Sequence, residues 1–222
     1  MTYPLEMIDV TCVFGDGSRT VTALDSVNLT VQPGELVAVM GPSGSGKSTL
    51  LNVAGLLQPA TSGRVLLDGV EASSMSAQKA AELRRRKVGV VFQHYNLAPT
   101  LTVGENASLP LELDGMRPAD CRDAATHALD EVGLAGLDGA YPDEISGGQA
   151  QRVAIARALI GQRTLLLADE PTGALDTATS DDVMNVLRAR VDAGAAGLLV
   201  THEPRFAGWA DRTILMRDGR VS

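Results

Sequence analysis

The segment that decides the fold runs from Glu35 to Thr49 and reads Glu-Leu-Val-Ala-Val-Met-Gly-Pro-Ser-Gly-Ser-Gly-Lys-Ser-Thr. After Glu35 the residues up to Met40 are apolar, which is typical of a strand that is buried on both faces. The glycine-rich stretch that follows predicts a tight turn. Apolar residues then recur at helical spacing from Leu50 to Leu57. The segment therefore predicts a strand, a turn and a helix in direct succession.

The turn in this segment matches G-x-x-x-x-G-K-[ST], the pattern of a P-loop, in which backbone N–H groups converge on phosphate oxygens. Its residues are Gly41, Pro42, Ser43, Gly44, Ser45, Gly46, Lys47, Ser48 and Thr49. We expect Lys47 to pair with β- and γ-phosphate oxygens and Ser48 to ligate Mg²⁺, while the helix N-terminus adds partial positive charge. The alternative is a Gly/Ser-rich turn with an incidental lysine, and the flanking strand and helix argue against it.

Apolar runs alternate with helical patterns along the rest of the chain. Further strands are predicted at 64–67, 88–92, 165–168, 197–200 and 213–216, and a helix at 75–87. Continuous runs favour an α/β fold with a parallel sheet. Residues 5–32 show polar alternation instead and predict a small antiparallel sheet. Residues 95–158 carry helix signals without a strong strand, so we interpret them as a helical insertion.

One helix of this insertion has a clear start and a clear buried face. Pro118 fits the first position of a helix, where a missing N–H costs nothing. The apolar stripe that follows consists of Cys121, Ala124, Ala125, Ala128, Leu129 and Val132. These positions predict a helix that packs one side against its neighbours.

Composition and charge exclude several classes of protein. The 222 residues include 19 Lys and Arg against 27 Asp and Glu, a net charge of −8, which argues against nucleic acid as a partner. Aromatic residues make up only 3%, so a stacking platform for bases or sugars is not expected. Cys12 and Cys121 are too few for a disulfide framework or a four-ligand zinc site and fit a reducing compartment. The first ten residues do not resemble a signal peptide, and no apolar stretch is long enough to span a membrane.

A second motif is the acidic pair Asp169-Glu170, which follows the apolar run Leu165-Leu-Leu-Ala168. P-loop enzymes hold Mg²⁺ through a carboxylate at the end of such a strand, and Asp169 is the candidate. Glu170 could orient and deprotonate an attacking water. Alone, the pair could equally be simple helix-start charges, but together with a P-loop it indicates hydrolysis.

A third motif is Ser146-Gly147-Gly148-Gln149, which precedes an apolar-periodic helix. Ser146 is a good N-cap, and a capped helix after two glycines also offers a second phosphate-binding N-terminus. A capped helix without any ligand is the alternative. Because one P-loop needs only one such site within its own chain, this second site makes most sense facing nucleotide held by another subunit.

Taken together, the motifs resemble those of an ABC-type ATPase subunit over essentially the whole chain. In order they are the P-loop, Ser146-Gly-Gly-Gln149, Asp169-Glu170, Gly173-Ala-Leu-Asp176 and Thr201-His202. The resemblance implies a P-loop NTPase (RecA-like) core with an N-terminal antiparallel β subdomain and an inserted α-helical subdomain. It implies one ABC ATPase domain over residues 1–222, with the core and β subdomain at 1–93 and 159–222 and the helical subdomain at 94–158.

The resemblance also assigns roles to single residues. Gln93 resembles the Q-loop glutamine that reaches Mg²⁺ and the attacking water, so the expected metal-binding residues are Ser48, Gln93 and Asp169. Asp176 resembles an aspartate at the dimer interface, and His202 the switch histidine that contacts the γ-phosphate. The expected catalytic residues are Glu170, His202, Gln93 and Lys47.

Two positions depart from the family's usual pattern. Phe14 stands where a tyrosine usually stacks on adenine, so the ring face is retained and the hydroxyl is lost. Ile145 replaces the more usual leucine before the signature serine, a change that conserves volume. Without the resemblance, Phe14 would be a packing residue and His202 a structural hydrogen-bond partner.

The mechanism that the resemblance implies needs two subunits around two ATP-Mg²⁺. Each site combines the P-loop of one subunit with Ser146, Gly147, Gly148 and Gln149 of the other. The γ-phosphate then bridges the interface, so ATP favours the closed dimer and ADP does not. Glu170 acts as the base for in-line attack of water.

Three short stretches of the sequence indicate a subgroup within the family. Phe92-Gln-His-Tyr-Asn-Leu97, Leu101-Thr-Val-Gly-Glu-Asn106 and Ala168-Asp-Glu-Pro-Thr-Gly-Ala-Leu-Asp176 resemble the macrolide-exporter and lipoprotein-releasing group, which also includes haem and antimicrobial-peptide exporters. The expected partners are a second ATPase subunit and two four-helix permease subunits with an extracytoplasmic domain, at the cytoplasmic face of the bacterial plasma membrane. The absence of a regulatory domain before Ser222 is also expected of this group. The transported substrate is not encoded in this chain.

Two other functions stay open at this point. A cell-division ATPase that controls an extracytoplasmic hydrolase without transport would carry the same motifs. A soluble ABC ATPase of translation or DNA repair is disfavoured, because neither tandem domains nor a long coiled-coil insertion is present and the net charge is negative.

The basic run Arg84-Arg85-Arg86-Lys87 is interpreted as a solvated helix face, with a membrane partner or lipid headgroups as the alternative.

Overall fold

The computed structural model describes residues 2–15, 20–173 and 175–222. The strands are β1 (Leu5–Phe14), β2 (Val21–Val31), β3 (Leu36–Met40), β4 (Ser62–Leu67), β5 (Val70–Glu71), β6 (Val88–Val91), β7 (Leu165–Asp169), β8 (Ala196–Val200), β9 (Arg212–Arg217) and β10 (Arg220–Val221). The helices are α1 (Lys47–Ala54), α2 (Ala77–Lys87), α3 (Val103–Leu113), α4 (Pro118–Glu131), α5 (Gly147–Leu159), α6 (Thr177–Asp192) and α7 (Pro204–Ala207).

The larger sheet has the strand order β10-β9-β3-β8-β7-β6. Strands β9, β3, β8, β7 and β6 are parallel, and β10 pairs antiparallel with β9 at one edge. All residues of β8 are buried, as are all but the last residue of β3 and β7. The predicted parallel sheet is confirmed, because runs without polar alternation fit strands covered on both faces.

The smaller sheet is antiparallel, with the order β2-β1-β4-β5. Irregularities in the β1–β2 register interrupt the alternation that a regular pair would show. The buried side chains of this sheet pack with α1 against one face of the larger sheet, and Leu5, Leu24 and Leu50 are fully buried there. The antiparallel sheet expected within residues 5–32 is therefore present, and β4 and β5 extend it.

Helices α3, α4 and α5 pack against one another and join a second core cluster on the other face of the larger sheet. Helix α4 starts at Pro118, and Cys121, Ala125 and Leu129 of its predicted stripe are buried. Thr102 and Glu105 form a reciprocal capping box that starts α3. The helical insertion is thus confirmed as a helical unit, while its limits at 94 and 158 stay predictions.

None of the helices in the described ranges combines the length and the apolar character needed to cross a membrane.

Candidate nucleotide-binding site

The glycine-rich turn lies between the end of β3 and the start of α1, as the sequence predicts. Gly46 occupies the N-cap position of α1 with φ of 104°. A Cβ on Gly41 would lie 2.1 Å from the Met216 carbonyl oxygen, and one on Gly46 would lie 2.2 Å from the Ala23 carbonyl oxygen. Glycine is required at both positions because the turn is pressed against β9 and β2.

The side chains of the turn are oriented by contacts with its own backbone. Lys47 Nζ donates to the carbonyl oxygens of Gly41 and Pro42 at 2.8 and 2.9 Å. The hydroxyl of Ser45 is buried and has no hydrogen-bond partner among the described residues. A buried polar atom without a hydrogen-bond partner is unfavourable, and a ligand that supplies the partner removes this cost. The turn therefore fits a polar ligand such as a phosphate group.

Ser48 and Asp169 meet at the carboxyl end of the sheet. Burial raises the pKa of the Asp169 carboxyl, and a hydrogen bond from Ser48 opposes that rise. A hydroxyl beside a half-buried carboxylate is a donor set suited to Mg²⁺, which usually takes few protein ligands and completes its shell with water and phosphate. Within the described residues, no group of three or more His, Cys, Asp and Glu gathers as a metal site.

Glu170 follows directly after β7 and holds a left-handed backbone with φ of 47°. Its Oε1 lies 2.9 Å from Nδ1 of His202, which follows β8. Because β7 and β8 are parallel neighbours, their carboxyl ends bring the two residues together. The hydrogen bond and negative charge of Glu170 raise the pKa of His202, whose side chain is 64% exposed. Two of the four sequence-predicted catalytic residues, Glu170 and His202, are thus in contact.

The signature motif begins α5 in the helical unit, whereas the P-loop begins α1. Ser146 is the N-cap of α5, and its Oγ accepts from the N–H of Gln149 at 3.3 Å. The Gln149 side chain in turn accepts from the N–H of Ser146 at 2.8 Å. The predicted cap is confirmed as a reciprocal capping box. No hydrogen bond or ion pair joins this motif to the P-loop in the described ranges.

Three further predicted site residues lie outside this cluster. Phe14 ends β1 and is 43% exposed, as a ring available for stacking would be. Gln93 lies just beyond β6 and is exposed. Asp176 is the N-cap of α6 and accepts from the N–H and hydroxyl of Thr179 at 3.0 and 2.7 Å, bonds that lower the pKa of its carboxyl. Their predicted roles stay predictions, and Ala174 of the Asp176 motif lies outside the described residues.

Sequence reasoning did not predict two polar residues on α5. Arg157 donates to the carbonyl oxygens of Tyr95 and Asn96 at 2.7 Å each, and its burial lowers the pKa of the guanidinium. It thereby fixes the segment that follows Gln93. Gln151 is buried and donates to the Pro171 carbonyl oxygen. The available signal was that both positions interrupt an otherwise apolar face of α5.

The basic run at the end of α2 is paired within the chain. Arg85 Nε lies 2.5 Å from the Asp114 carboxylate, and Lys87 Nζ lies 2.9 Å from that of Asp68. Arg86 pairs with Glu82, while Arg84 donates to the carbonyl oxygen of Leu56. The predicted solvated helix face holds only for Arg86, which is exposed, while the other three side chains are partly buried and tie α2 to neighbouring segments.

The parallel sheet and the glycine-rich turn at the end of β3 define the class of P-loop nucleotide-binding proteins. The family model described as ABC transporter matches residues 24–173. The chain belongs to the ABC transporter family, among the ATP-binding domains of its macrolide-exporter group.

Two relatives illustrate this placement. The macrolide export ATP-binding/permease protein MacB of Neisseria gonorrhoeae is 43% identical over 217 residues, which cover 98% of this chain and 34% of MacB. The uncharacterized ABC transporter ATP-binding protein YknY of Bacillus subtilis is 45% identical over 92% of this chain and 89% of YknY. The chain thus spans about a third of the length of the MacB proteins that it matches.

The fold has a close counterpart among solved structures. The ATP-binding cassette MJ0796, solved as a dimer in a post-hydrolysis state with ADP and phosphate, superposes with a TM-score of 0.93 and 38% identity. The match covers 98% of this chain and 96% of the MJ0796 chain. The α/β architecture and its two added subdomains are therefore those of an ABC cassette.

Proposed function

We propose that this chain binds ATP with Mg²⁺ at the P-loop, hydrolyses it to ADP and phosphate, and thereby drives a membrane permease. The observation that carries the proposal is the cluster at the carboxyl ends of β3, β7 and β8. There a phosphate-type turn, a Ser48–Asp169 pair and a Glu170–His202 pair lie side by side. Binding, metal coordination and proton transfer thus have separate groups within one site.

Each residue of the cluster has a distinct task in this proposal. Ser48 and Asp169 hold Mg²⁺, with Gln93 approaching from the end of β6, and bound Mg²⁺ neutralises phosphate charge. Lys47 exchanges its two backbone carbonyls for β- and γ-phosphate oxygens. Adenine stacks on the exposed ring of Phe14.

Glu170 acts on the attacking water. The water oxygen bonds to the γ-phosphorus, the bond from that phosphorus to the ADP oxygen breaks, and a proton of the water passes to the Glu170 carboxylate. His202 is within hydrogen-bond distance of that carboxylate and has its other ring nitrogen for the γ-phosphate. Through this pair, the hydrogen bonding of the Glu170 carboxylate depends on whether γ-phosphate is bound.

The placement of the signature motif and the P-loop at the starts of two different helices supports a two-subunit site. Ser146, Gly147, Gly148 and Gln149 begin a helix whose N-terminus suits an anion, and their own chain's P-loop does not use it. In a head-to-tail dimer, the second subunit presents its bound ATP to this N-terminus. The signature motif of the second subunit in turn faces the ATP bound by the first. The dimeric state of the MJ0796 cassette supports this arrangement.

The membrane partner follows from the relatives' names. MacB is described as a macrolide export ATP-binding/permease protein, and this chain covers its ATP-binding third. We infer a permease of the exporter type, two copies per ATPase dimer, and a location at the cytoplasmic face of the plasma membrane. Affinity purification from the native membrane, followed by identification of the co-purifying membrane protein, tests this inference. A regulator of an extracytoplasmic hydrolase in place of an exporter would contradict it.

The chemistry is tested with Glu170→Gln, which removes the base and keeps the shape. We expect ATP hydrolysis to fall by at least about 100-fold, because a general base contributes about that much. ATP binding should persist, and a dimer that depends on ATP should accumulate in size-exclusion chromatography.

Glu203→Gln is the matched control, because Glu203 is a nearby glutamate at the N-cap of α7 and forms no hydrogen bond or ion pair with the P-loop turn in the described residues. Its hydrolysis rate should stay close to that of the wild type. A Glu170→Gln protein that hydrolyses ATP at the wild-type rate would show that another group is the base.

A further inference from the structure

Gln151 is a buried polar residue that joins the signature helix to the loop behind the catalytic glutamate. Its side chain is 1% exposed, and its Nε2 donates to the Pro171 carbonyl oxygen at 2.9 Å. Gln151 belongs to α5, whereas Pro171 directly follows Glu170 at the end of β7. The bond therefore connects the helical unit with the core next to the proposed base.

The turn that receives this bond is held under backbone strain. Glu170 has φ of 47°, a conformation that L-residues other than glycine adopt rarely. Its N–H donates to the Val200 carbonyl at 2.9 Å, and its carbonyl accepts from the N–H of Gly173 at 3.2 Å. Strained residues of this kind persist only where the surroundings fix them. The Gln151 bond is the contribution that α5 makes to this fixation.

The orientation of the Gln151 amide follows from chemistry. Only the NH₂ group can donate to a carbonyl, so Nε2 must face Pro171 and Oε1 must face away from it. Oε1 is buried and has no partner among the described residues. A buried acceptor left without a donor is unfavourable, so packing alone does not explain an amide at this position.

The other end of the link is the signature motif itself. Gln151 lies five residues beyond Ser146 on one continuous helix, roughly 7 Å along its axis. A Cβ on Gly148 would lie 3.4 Å from Leu175, so the helix start also lies close to the segment that continues from the Glu170 turn. A displacement of the helix start can therefore reach this turn at two places.

We propose that Gln151 is a positioning residue that couples the signature helix to the placement of the Glu170 carboxylate. The inference rests on the proposed function. When the signature motif engages the nucleotide of the other subunit, α5 transmits its position through the Gln151–Pro171 bond. The position of Glu170 in each subunit therefore depends on the contact between the signature motif of that subunit and the nucleotide of the other subunit. The two ATP sites of the dimer thus become interdependent.

The test replaces Gln151 with Met, whose side chain has a similar length and no hydrogen-bond donor. We expect kcat for ATP hydrolysis to fall about tenfold at an unchanged KM, and the Hill coefficient for ATP to approach one. The melting temperature should change by less than about 3 °C, because the lost bond and the removed unpaired acceptor oppose each other. Gln151→His carries a ring N–H at a similar reach and should recover most of kcat.

Ile155→Val provides the matched control in the same helix. Ile155 is fully buried, so this change should lower the melting temperature by roughly 2–4 °C while leaving kcat and the Hill coefficient unchanged. Should Gln151→Met not fold, Gln151→Leu serves as the second donor-free variant.

Two results would overturn the inference. One is a folded donor-free variant with wild-type kcat and cooperativity, and the other is a folded Gln151→His with no recovery. A wild-type protein without ATPase activity would overturn the proposed function instead, which separates the two failures.

Discussion

At the scale of single residues, the contact between Glu170 and His202 is the most informative feature of the site. The two residues are adjacent because each follows a parallel strand, β7 or β8, at the same edge of the sheet. The raised pKa of His202 means that the charged imidazole is favoured in the folded protein. The stability that the pair contributes is therefore fully present below the ordinary His pKa of 6.5 and is lost as pH rises through the raised pKa.

This contact predicts a measurable titration. In the nucleotide-free protein, NMR should give His202 a pKa above 6.5, and Glu170→Gln should shift it downward, because the carboxylate is the main cause of the rise. A His202 titration that is unchanged in Glu170→Gln would mean that the ion pair does not form in solution.

Candidates for a chemical task could be selected from the sequence and their roles stay predictions, whereas residues that position them could not be selected in this way. Asp169 and Glu170 end an apolar run, and Lys47 belongs to a spaced motif, so local pattern was sufficient. Gln151 and Arg157 instead bond to backbone carbonyls that are 20 and about 60 residues away in the chain. A carbonyl has no sequence signature, so only the folded arrangement identifies such partners.

At the scale of elements, β6 and α5 make an unusually close approach. A Cβ on Gly89 of β6 would lie 2.0 Å from the Ala158 carbonyl oxygen and 2.9 Å from a Leu166 methyl group. The obstacle at Ala158 is helix backbone, which cannot turn aside as a side chain could. Gly89 therefore sets the distance between the sheet edge and the signature helix.

We predict that Gly89→Ala destabilises the protein by about 2 kcal/mol or more, because the added methyl group must displace backbone. Chemical denaturation measures the loss. Gly139→Ala is the control, since nothing lies within 4 Å of its Cβ position, and its effect should stay within about 0.5 kcal/mol. Equal stability of the two variants would show that β6 and α5 can separate without penalty.

Many of the elements were predictable to within a few residues, whereas α6 was not predicted. Apolar runs located β3, β6, β7 and β8 because strands covered on both faces lack polar alternation. An apolar run also located β9, although only Ile214 and Met216 of that strand are buried. The N-terminal strands were harder to delimit, since Asp9 and Ser26 have positive φ and interrupt the regular period. The order of the strands was not predictable, because parallel pairing joins segments that are far apart in the sequence.

At the scale of the whole molecule, the helical unit and the core are also joined by a surface ion pair. Arg190 of α6 lies 2.5 Å from the Glu131 carboxylate at the end of α4, and both side chains are about a third exposed. Exposed pairs of this kind contribute little, because water screens the charges and two long side chains lose freedom. The buried contacts of α5 must then dominate the attachment.

A double-mutant cycle with Glu131→Gln and Arg190→Gln should therefore give a coupling energy below about 1 kcal/mol in chemical denaturation. The coupling should shrink further in high salt, where surface charges are screened. A coupling above about 2 kcal/mol would mean that this pair, rather than buried packing, fixes how the helical unit sits on the core.

The position of β3 between β8 and β9 also determines when the larger sheet can form around the P-loop during synthesis of the chain. Strand β3 is complete at Met40, but its two neighbours, β8 and β9, begin only at Ala196 and Arg212. A ribosome adding about 5–20 residues per second leaves both edges of β3 unpaired for roughly 8–30 s. The phosphate turn is thus synthesised long before the two strands that flank β3, and its supporting sheet is complete only after β8 and β9 have paired with β3.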